Sequence, residues 1–164
     1  MAKLLEINNA TGELQEFNPI TVSTGVADAN KAVQTNSAGY IDKALIDPSI
    51  VPDIFVDTAI EALSAGDFVN IAPTGVRKTD RSNGRQADGF VLVAVANGAQ
   101  ATVYKDSKNT ALSGLTKGSK YFLGTAGAVT TSVTTTAGEI LQFLGVAMSA
   151  SEIDVEINRP IVRA

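Results

Sequence analysis

The chain has 164 residues, enough for one ordinary domain or for one domain with an appended arm. It contains no Cys and no His, which excludes a disulfide framework, a thiol nucleophile, a zinc–thiolate site, a Ser-His-Asp triad and a His metal ligand. With 13 basic and 17 acidic residues its formal net charge is −4, a poor match for the phosphate backbone of nucleic acid. We therefore expect no enzyme activity, no metal, no cofactor and no nucleic-acid partner.

The composition also indicates the fold class and argues against a membrane-spanning segment. Only 18% of the residues are charged, and the hydrophobic 45% includes few aromatics. A chain rich in Ala, Thr, Gly and Val with this little charge is typical of a β protein with many turns. No run approaches the ~18 apolar residues of a membrane span. Glu6 comes too early for a signal peptide, so we expect neither a membrane segment nor a leader.

The N-terminal third predicts a hairpin followed by an arm. Residues 3–7 and 13–17 flank a turn rich in Asn and Gly, which tolerate the positive φ of a tight reversal. Residues 18–56 contain three of the five prolines and little periodicity, which favours an extended arm with local turns. We expect residues 1–56 to serve docking or oligomerisation, ahead of an antiparallel β domain at 57–164 with a short C-terminal tail.

Short strand patterns follow one another through the second region. Strands are predicted at 67–71, 76–79, 90–96, 99–105, 120–123, 128–131, 139–148 and 152–157. Asn97-Gly98 predicts a type I′ hairpin between two of them. Residues 57–65 fit either a capped helix or a strand, and the surrounding pattern favours the strand. The sequence thus predicts an all-β fold: a small antiparallel β-sandwich or barrel-like domain preceded by an extended N-terminal arm with a short hairpin.

Two of these strands, 90–96 and 139–147, are apolar on both faces. Antiparallel strands in a small monomer normally expose one face to water. Either loops of the same chain cover the second face, or another subunit does. Both alternatives stay open at the level of the sequence.

Three patterns resemble chemical sites, and the first two fail on spacing. Residues 114–120 resemble a phosphate loop, but the second Gly comes one place too early. Residues 80–84 resemble a calcium loop, yet Val91 stands where the twelfth-position Glu belongs. The spacing of Glu152, Asp154 and Glu156 is compatible with a glycosidase pair, but a half-buried strand is expected to have such a polar face and no aromatic platform accompanies it. No catalytic, metal-binding or cofactor-binding residue is therefore assigned.

Three segments are candidates for contact with a partner. Arg77, Lys78, Arg81 and Arg85 form a basic cluster that is either a solvated loop tip or a grip on an acidic partner. An apolar stretch punctuated by Pro lies at 50–56, and a basic and apolar run ends the chain. The candidate partner or oligomer interface comprises Ile50, Val51, Pro52, Ile54, Phe55, Arg77, Arg81, Arg85, Arg159, Pro160, Ile161 and Val162.

Several segments resemble virion proteins of tailed bacteriophages, of the head decoration or head fibre type and related to small tail fibre proteins. They are residues 111–124 (ALSGLTKGSKYFLG), 135–149 (TTAGEILQFLGVAMS), 62–71 (ALSAGDFVNI), 89–91, and 36–42 together with Leu45. The resemblance extends over about residues 30–157. Its motifs are turn and strand signatures, and they carry no catalytic residue.

The resemblance implies a non-enzymatic capsid decoration or cement protein. Such a protein is made in the host cytoplasm, is typically a homotrimer, and lies on the capsid exterior, where it binds the major capsid protein. The alternative is a tail fibre or baseplate-associated module that binds a receptor or a host surface glycan. The chain has no Trp and three Tyr, which counts against a sugar platform. A carboxylate-based glycosidase ranks third.

Overall fold

The computed structural model describes residues 4–7, 11–17, 19–24, 26–28, 31–42, 45–46 and 53–164. The chain divides into two compact units, Met1–Val51 and Pro52–Ala164. The division comes earlier than the expected boundary after residue 56. Its cause is that Ile54–Thr58, expected in large part within the arm, is a strand of the second unit.

The N-terminal unit contains the expected hairpin. Strands β1 (Leu4–Ile7) and β2 (Leu14–Phe17) pair antiparallel, with Ile7 opposite Leu14. Beyond it, the described residues up to 46 form a short 3₁₀ turn at Val26–Asp28, one isolated bridge and several bends. Hydrogen bonds from Lys31 and then Thr24 hold the pKa of the Asp28 carboxyl far below its usual range.

The second unit is an antiparallel β domain, which confirms the all-β prediction. Its strands are β3 (Ile54–Thr58), β4 (Phe68–Ala72), β5 (Gly75–Lys78), β6 (Gly89–Phe90), β7 (Gln100–Tyr104), β8 (Ser107–Asn109), β9 (Lys120–Leu123), β10 (Val129–Thr130), β11 (Ile140–Leu141), β12 (Phe143–Ala147), β13 (Ile153–Val155) and β14 (Ile161–Val162). One five-stranded sheet has the order β3-β7-β6-β4-β5, another has the order β10-β9-β12-β13-β8, and β11 pairs with β14. No α-helix occurs in the part of the chain that the structure describes.

Over its central strands, both faces of the first sheet are covered within the chain. On one face Phe68 and Phe90 pack against Leu123 and Leu144 of the second sheet, which gives a sandwich-like core. Because side chains alternate along a strand, the next residues face the other way. The side chains on this opposite face pack with residues of the segments at 59–63 and 91–95 and form a second cluster. The sheet contributes Val69, Val76, Ala101 and Val103 to it.

The first sheet curls until its outer strands meet at one bridge. Ala59, just after β3, bridges Val76 of β5, and Ile60 N donates to Val76 O at 2.9 Å. A side chain at Gly75 would meet Thr58 O at 2.3 Å, so the close approach depends on that glycine. The outer edge of β5 is therefore covered by the chain that follows β3.

Two strand predictions need correction around residues 90–99. The strand expected at 90–96 ends at Phe90, because Val91 N donates to Asp67 O and Val95 pairs only with Leu63. The Asn97-Gly98 turn is not type I′, since only Gly98 has a positive φ there. The backbone N–H of Gly98 donates a hydrogen bond to Ala59 O at 2.7 Å.

Other expectations are resolved near the two ends of the domain. Residues 57–65 contain no helix and continue the strand only as far as Thr58. The run 139–148 is split into β11 and β12 at Gln142. The C-terminal run is not a free tail, because β14 pairs with β11. Phe90 and Val91 are both buried, and so are Leu144 and Ala147, so other parts of the same chain cover much of both faces of these two runs.

Candidate functional site

A polar cleft of about 630 Å³ opens on the β domain. It is a wide, open depression, more exposed to solvent than an enclosed ligand pocket. The end of β4, the loop before β6, the residue after β7 and the C-terminal segment all contribute to it. It is lined by Asn70, Ile71, Gln86, Ala87, Asp88, Lys105, Gln142, Ile157, Asn158, Arg159 and Pro160.

The Asp88 carboxylate organises one wall of the cleft. Its Oδ2 accepts hydrogen bonds from Asn70 Nδ2 at 2.9 Å and Ile71 N at 2.8 Å, and its Oδ1 accepts one from Gln86 Nε2 at 2.8 Å. Asn70 Oδ1 accepts in turn from Arg77 Nε at 2.9 Å. The amide groups are held in fixed orientations, and the acceptor capacity of the carboxylate is largely used.

The side-chain amide of Gln142 holds together the floor of the cleft. Only 2% of this residue is exposed. Its Oε1 accepts from Ala87 N at 2.8 Å, and its Nε2 donates to Ala87 O at 3.0 Å and to Asn158 O at 2.9 Å. Sequence reasoning missed this residue. The available signal was a lone amide inside the apolar run 140–144.

Two cations stand at the rim. Lys105 Nζ lies 3.6 Å from Asp53 Oδ2, and both side chains are exposed, so water screens the pair. Arg159 is exposed and has no ion-pair partner among the residues that the structure describes. The rim therefore carries positive charge that no carboxylate of the cleft neutralises.

The basic cluster predicted as a partner contact is held by the chain itself. All four side chains are partly buried. The partners are Asn70 for Arg77 (2.9 Å), Asp67 for Lys78 (3.3 Å), Glu139 for Arg81 (3.2 Å) and Glu61 for Arg85 (3.7 Å). Little of this charge remains available for an acidic partner.

Asp80 stabilises the turn that the sequence likened to a calcium loop. Its Oδ1 accepts from Ser82 N at 2.9 Å and Ser82 Oγ at 2.6 Å, which caps a 3₁₀ turn at Arg81–Asn83. Burial raises the pKa of Asp80, but the hydrogen bonds from Ser82 and Ala126 and the charge of Arg85 outweigh it, so the pKa lies below its usual value. The carboxylate thus has a structural role. Across the described residues, no three acidic side chains are grouped to hold a metal ion.

The hairpin of the N-terminal unit has an exposed apolar face. Paired residues in an antiparallel ladder share a face, so Ile7 and Leu14 lie side by side and Leu5 lies opposite Glu16. Leu5, Ile7 and Leu14 are 64%, 63% and 70% exposed. The sequence had not singled these residues out.

The remaining predicted interface residues fall in different places. Ile50, Val51 and Pro52 lie outside the described residues. Ile54 is exposed on the outer strand β3, whereas Phe55 packs against the Val69–Val103 cluster. Phe55 is thus partly buried against the core, because alternation turns it inward. In the C-terminal run, Arg159 and Pro160 line the cleft, and Ile161 and Val162 are exposed on β14.

The carboxylate row of the last strands is solvated. Glu152 Oε1 lies 3.0 Å from Lys108 Nζ, and the hydrogen bond and charge of Glu152 raise the pKa of Lys108. Asp154 and Glu156 are exposed. The row forms a polar sheet face, as the alternation predicted.

No protein-family model and no curated protein sequence matches the chain. Among the residues that the structure describes, no helix has the length and apolar character needed to cross a bilayer. Function is therefore inferred from the geometry above together with the sequence resemblance.

Proposed function

We propose that the chain is a non-enzymatic virion protein of a tailed bacteriophage that decorates the capsid exterior and stabilises it. It binds at junctions between copies of the major capsid protein. The observation that carries the proposal is the exposed apolar face of the hairpin β1–β2, in a unit separate from a β domain with its own core. A lone two-stranded hairpin is marginally stable in water, and burying that face on a partner stabilises it.

The charge distribution supports a docking role for the same unit. Met1–Val51 carries three Lys against six Asp and Glu, whereas the rest of the chain has ten basic and eleven acidic residues. An apolar face within an acidic segment fits an apolar capsid surface bordered by basic side chains. Binding to the assembled shell but not to free subunits stabilises the shell by mass action.

The hairpin face is large enough to matter energetically. Full burial of a Leu or Ile side chain contributes about 1.5–3 kcal/mol. Since about two-thirds of each residue is exposed, Leu5, Ile7 and Leu14 together offer roughly 3–6 kcal/mol. That corresponds to a change in Kd of about two to four orders of magnitude.

Removing the hairpin tests the proposal. The full chain and a chain lacking residues 1–18 are sedimented with purified phage heads that lack the protein. We expect the truncated chain to lose binding while its β domain unfolds at an unchanged temperature. A triple variant, Leu5→Ser with Ile7→Ser and Leu14→Ser, should lose binding as well, whereas Val93→Ser with Val133→Ser, exposed apolar positions of the β domain, should keep it. Undiminished binding by the truncated chain would contradict the proposal.

We also propose that the chain forms a homotrimer. Exposed apolar side chains on the outer strands β3 and β14, such as Ile54 and Val162, are available for contact between copies. Multi-angle light scattering should then give about 51 kDa, three times the chain mass of 17.0 kDa. A monomer at every concentration tested would remove the trimer from the proposal.

The second candidate is a tail fibre or baseplate-associated module that binds a receptor or carbohydrate. The cleft favours it, because fixed amides beside cations suit a polar ligand. Copy number separates the two candidates. A decoration protein approaches the abundance of the major capsid protein, whereas a tail module is present in few copies.

A further inference from the structure

We propose that the cleft on the β domain binds a saccharide that carries a carboxylate. The inference rests on the second candidate function for its biological setting only. The cleft belongs entirely to the β domain, so its binding activity can be measured whether or not the hairpin docks on a capsid.

The floor and one wall suit sugar hydroxyls. A hydroxyl group both donates and accepts hydrogen bonds, and amide side chains offer both functions. Gln86 uses its Nε2 on Asp88, which leaves its Oε1 as an acceptor. The Asn158 side chain is exposed and has no hydrogen-bond partner within residues 53–164 or the other described parts of the chain. The bond to Asp88 fixes the orientation of the Gln86 amide before a ligand arrives, and Gln142 holds the backbone of Asn158 beside it.

The two cations at the rim favour an anionic ligand. Asp88 places one negative charge in the wall, but it already accepts three hydrogen bonds there. Lys105 and Arg159 supply two positive charges at the rim, and of these only Lys105 has a carboxylate, that of Asp53, within ion-pair distance. The planar fork of Arg matches a carboxylate with two parallel hydrogen bonds.

Two features distinguish a carboxylated sugar from other ligands. A phosphate site uses free backbone N–H groups of a glycine-rich turn or a helix N-terminus. Here no glycine lines the cleft, and the Ile71 and Ala87 N–H groups are already bonded to Asp88 and Gln142. No aromatic side chain lines the cleft to stack on a neutral sugar ring. Affinity therefore depends on the acidic group.

The test is calorimetric titration of the full chain with digalacturonate and with sialyllactose at low ionic strength. At least one should bind with millimolar or better affinity, and the neutral analogues cellobiose and lactose should bind at least about tenfold more weakly. Arg159→Ala should raise Kd by about tenfold or more, and Lys105→Ala by less. Arg163→Ala, which removes an exposed Arg outside the cleft, should leave Kd unchanged.

Several results would overturn the inference. They are no binding of either acidic sugar, equal binding of the neutral analogues, tighter binding of glucose 6-phosphate or of an acidic peptide, or an unchanged Kd for Arg159→Ala. The variants should keep the unfolding temperature of the parent, since both side chains are exposed. Head binding by Arg159→Ala should also be retained, so failure here and failure of the decoration proposal are distinguishable.

Discussion

Replacing the buried amide of Gln142 tests the packing of the β domain at one point. Gln142→Leu keeps most of the side-chain volume but removes one accepted hydrogen bond and two donated ones. The Ala87 N–H group loses the partner at 2.8 Å, and the carbonyls of Ala87 and Asn158 lose theirs at 3.0 and 2.9 Å. Ala87 itself is buried, so water does not readily replace the lost bonds.

The expected cost follows from these three groups. A buried polar group left without a partner costs about 1–3 kcal/mol. The N–H is the most costly because it has a single hydrogen, whereas each carbonyl keeps a second lone pair and the Asn158 carbonyl lies nearer the surface. We expect a total loss of about 2–5 kcal/mol in the free energy of unfolding. For a domain of this size that lowers Tm by roughly 5–20 °C.

Thermal and urea unfolding, followed by circular dichroism, measure the effect. Gln100→Leu is the matched control, since Gln100 is exposed on β7, and we expect it to shift Tm by no more than a few degrees. Gln142→Glu adds a pH test. Burial beside two carbonyls should raise the folded-state pKa of the new carboxyl, so this variant should lose stability as the pH rises through that pKa. A Gln142→Leu variant as stable as the parent would show that the three hydrogen bonds of Gln142 do not stabilise the domain.

Two further predictions concern the turns of the domain. Gly75→Ala should destabilise it by at least about 2 kcal/mol, because the new methyl group would lie 2.3 Å from Thr58 O at a φ of +138°. Gly84→Ala, at a φ of +79° with open space around it, should cost only about 1 kcal/mol; equal losses in urea unfolding would count against the close approach of β3 and β5. The lowered pKa of Asp80 means that its stabilisation is complete above about pH 4 and is lost as the pH falls through the folded-state value. Asp80→Asn should thus be less stable than the parent at pH 7 and should show a shallower acid slope, and parallel curves for the two proteins would contradict this role.

The parts of the fold that were predictable depend on local signals. The N-terminal hairpin, the hairpin of β4 and β5, and the alternation at β13 each follow from neighbouring residues. The strand prediction for residues 90–96 was wrong beyond Phe90, because it rested only on an apolar run. Their backbone groups bond to residues near Leu63 and Asp67 instead, a long-range outcome that no local pattern specifies.

The cleft could not be predicted for a related reason. Gln142 and Ala87 are separated by 55 residues along the chain, and Asn70 and Asp88 by 18. Sequence reasoning marked Arg159 and Pro160 for a partner, but it assigned them to a free tail. The pairing of β14 with β11 brings that run back onto the domain, and the cleft forms beside it.

The presence of the protein on a particle tests the central proposal most directly. Phage particles from a lysate that contains the protein are banded by density, and peptides of this chain and of the major capsid protein are quantified by mass spectrometry. The proposal predicts this chain on intact heads at an abundance approaching that of the major capsid protein. Its recovery only in the soluble fraction, with none on the banded particles, would contradict a decoration role.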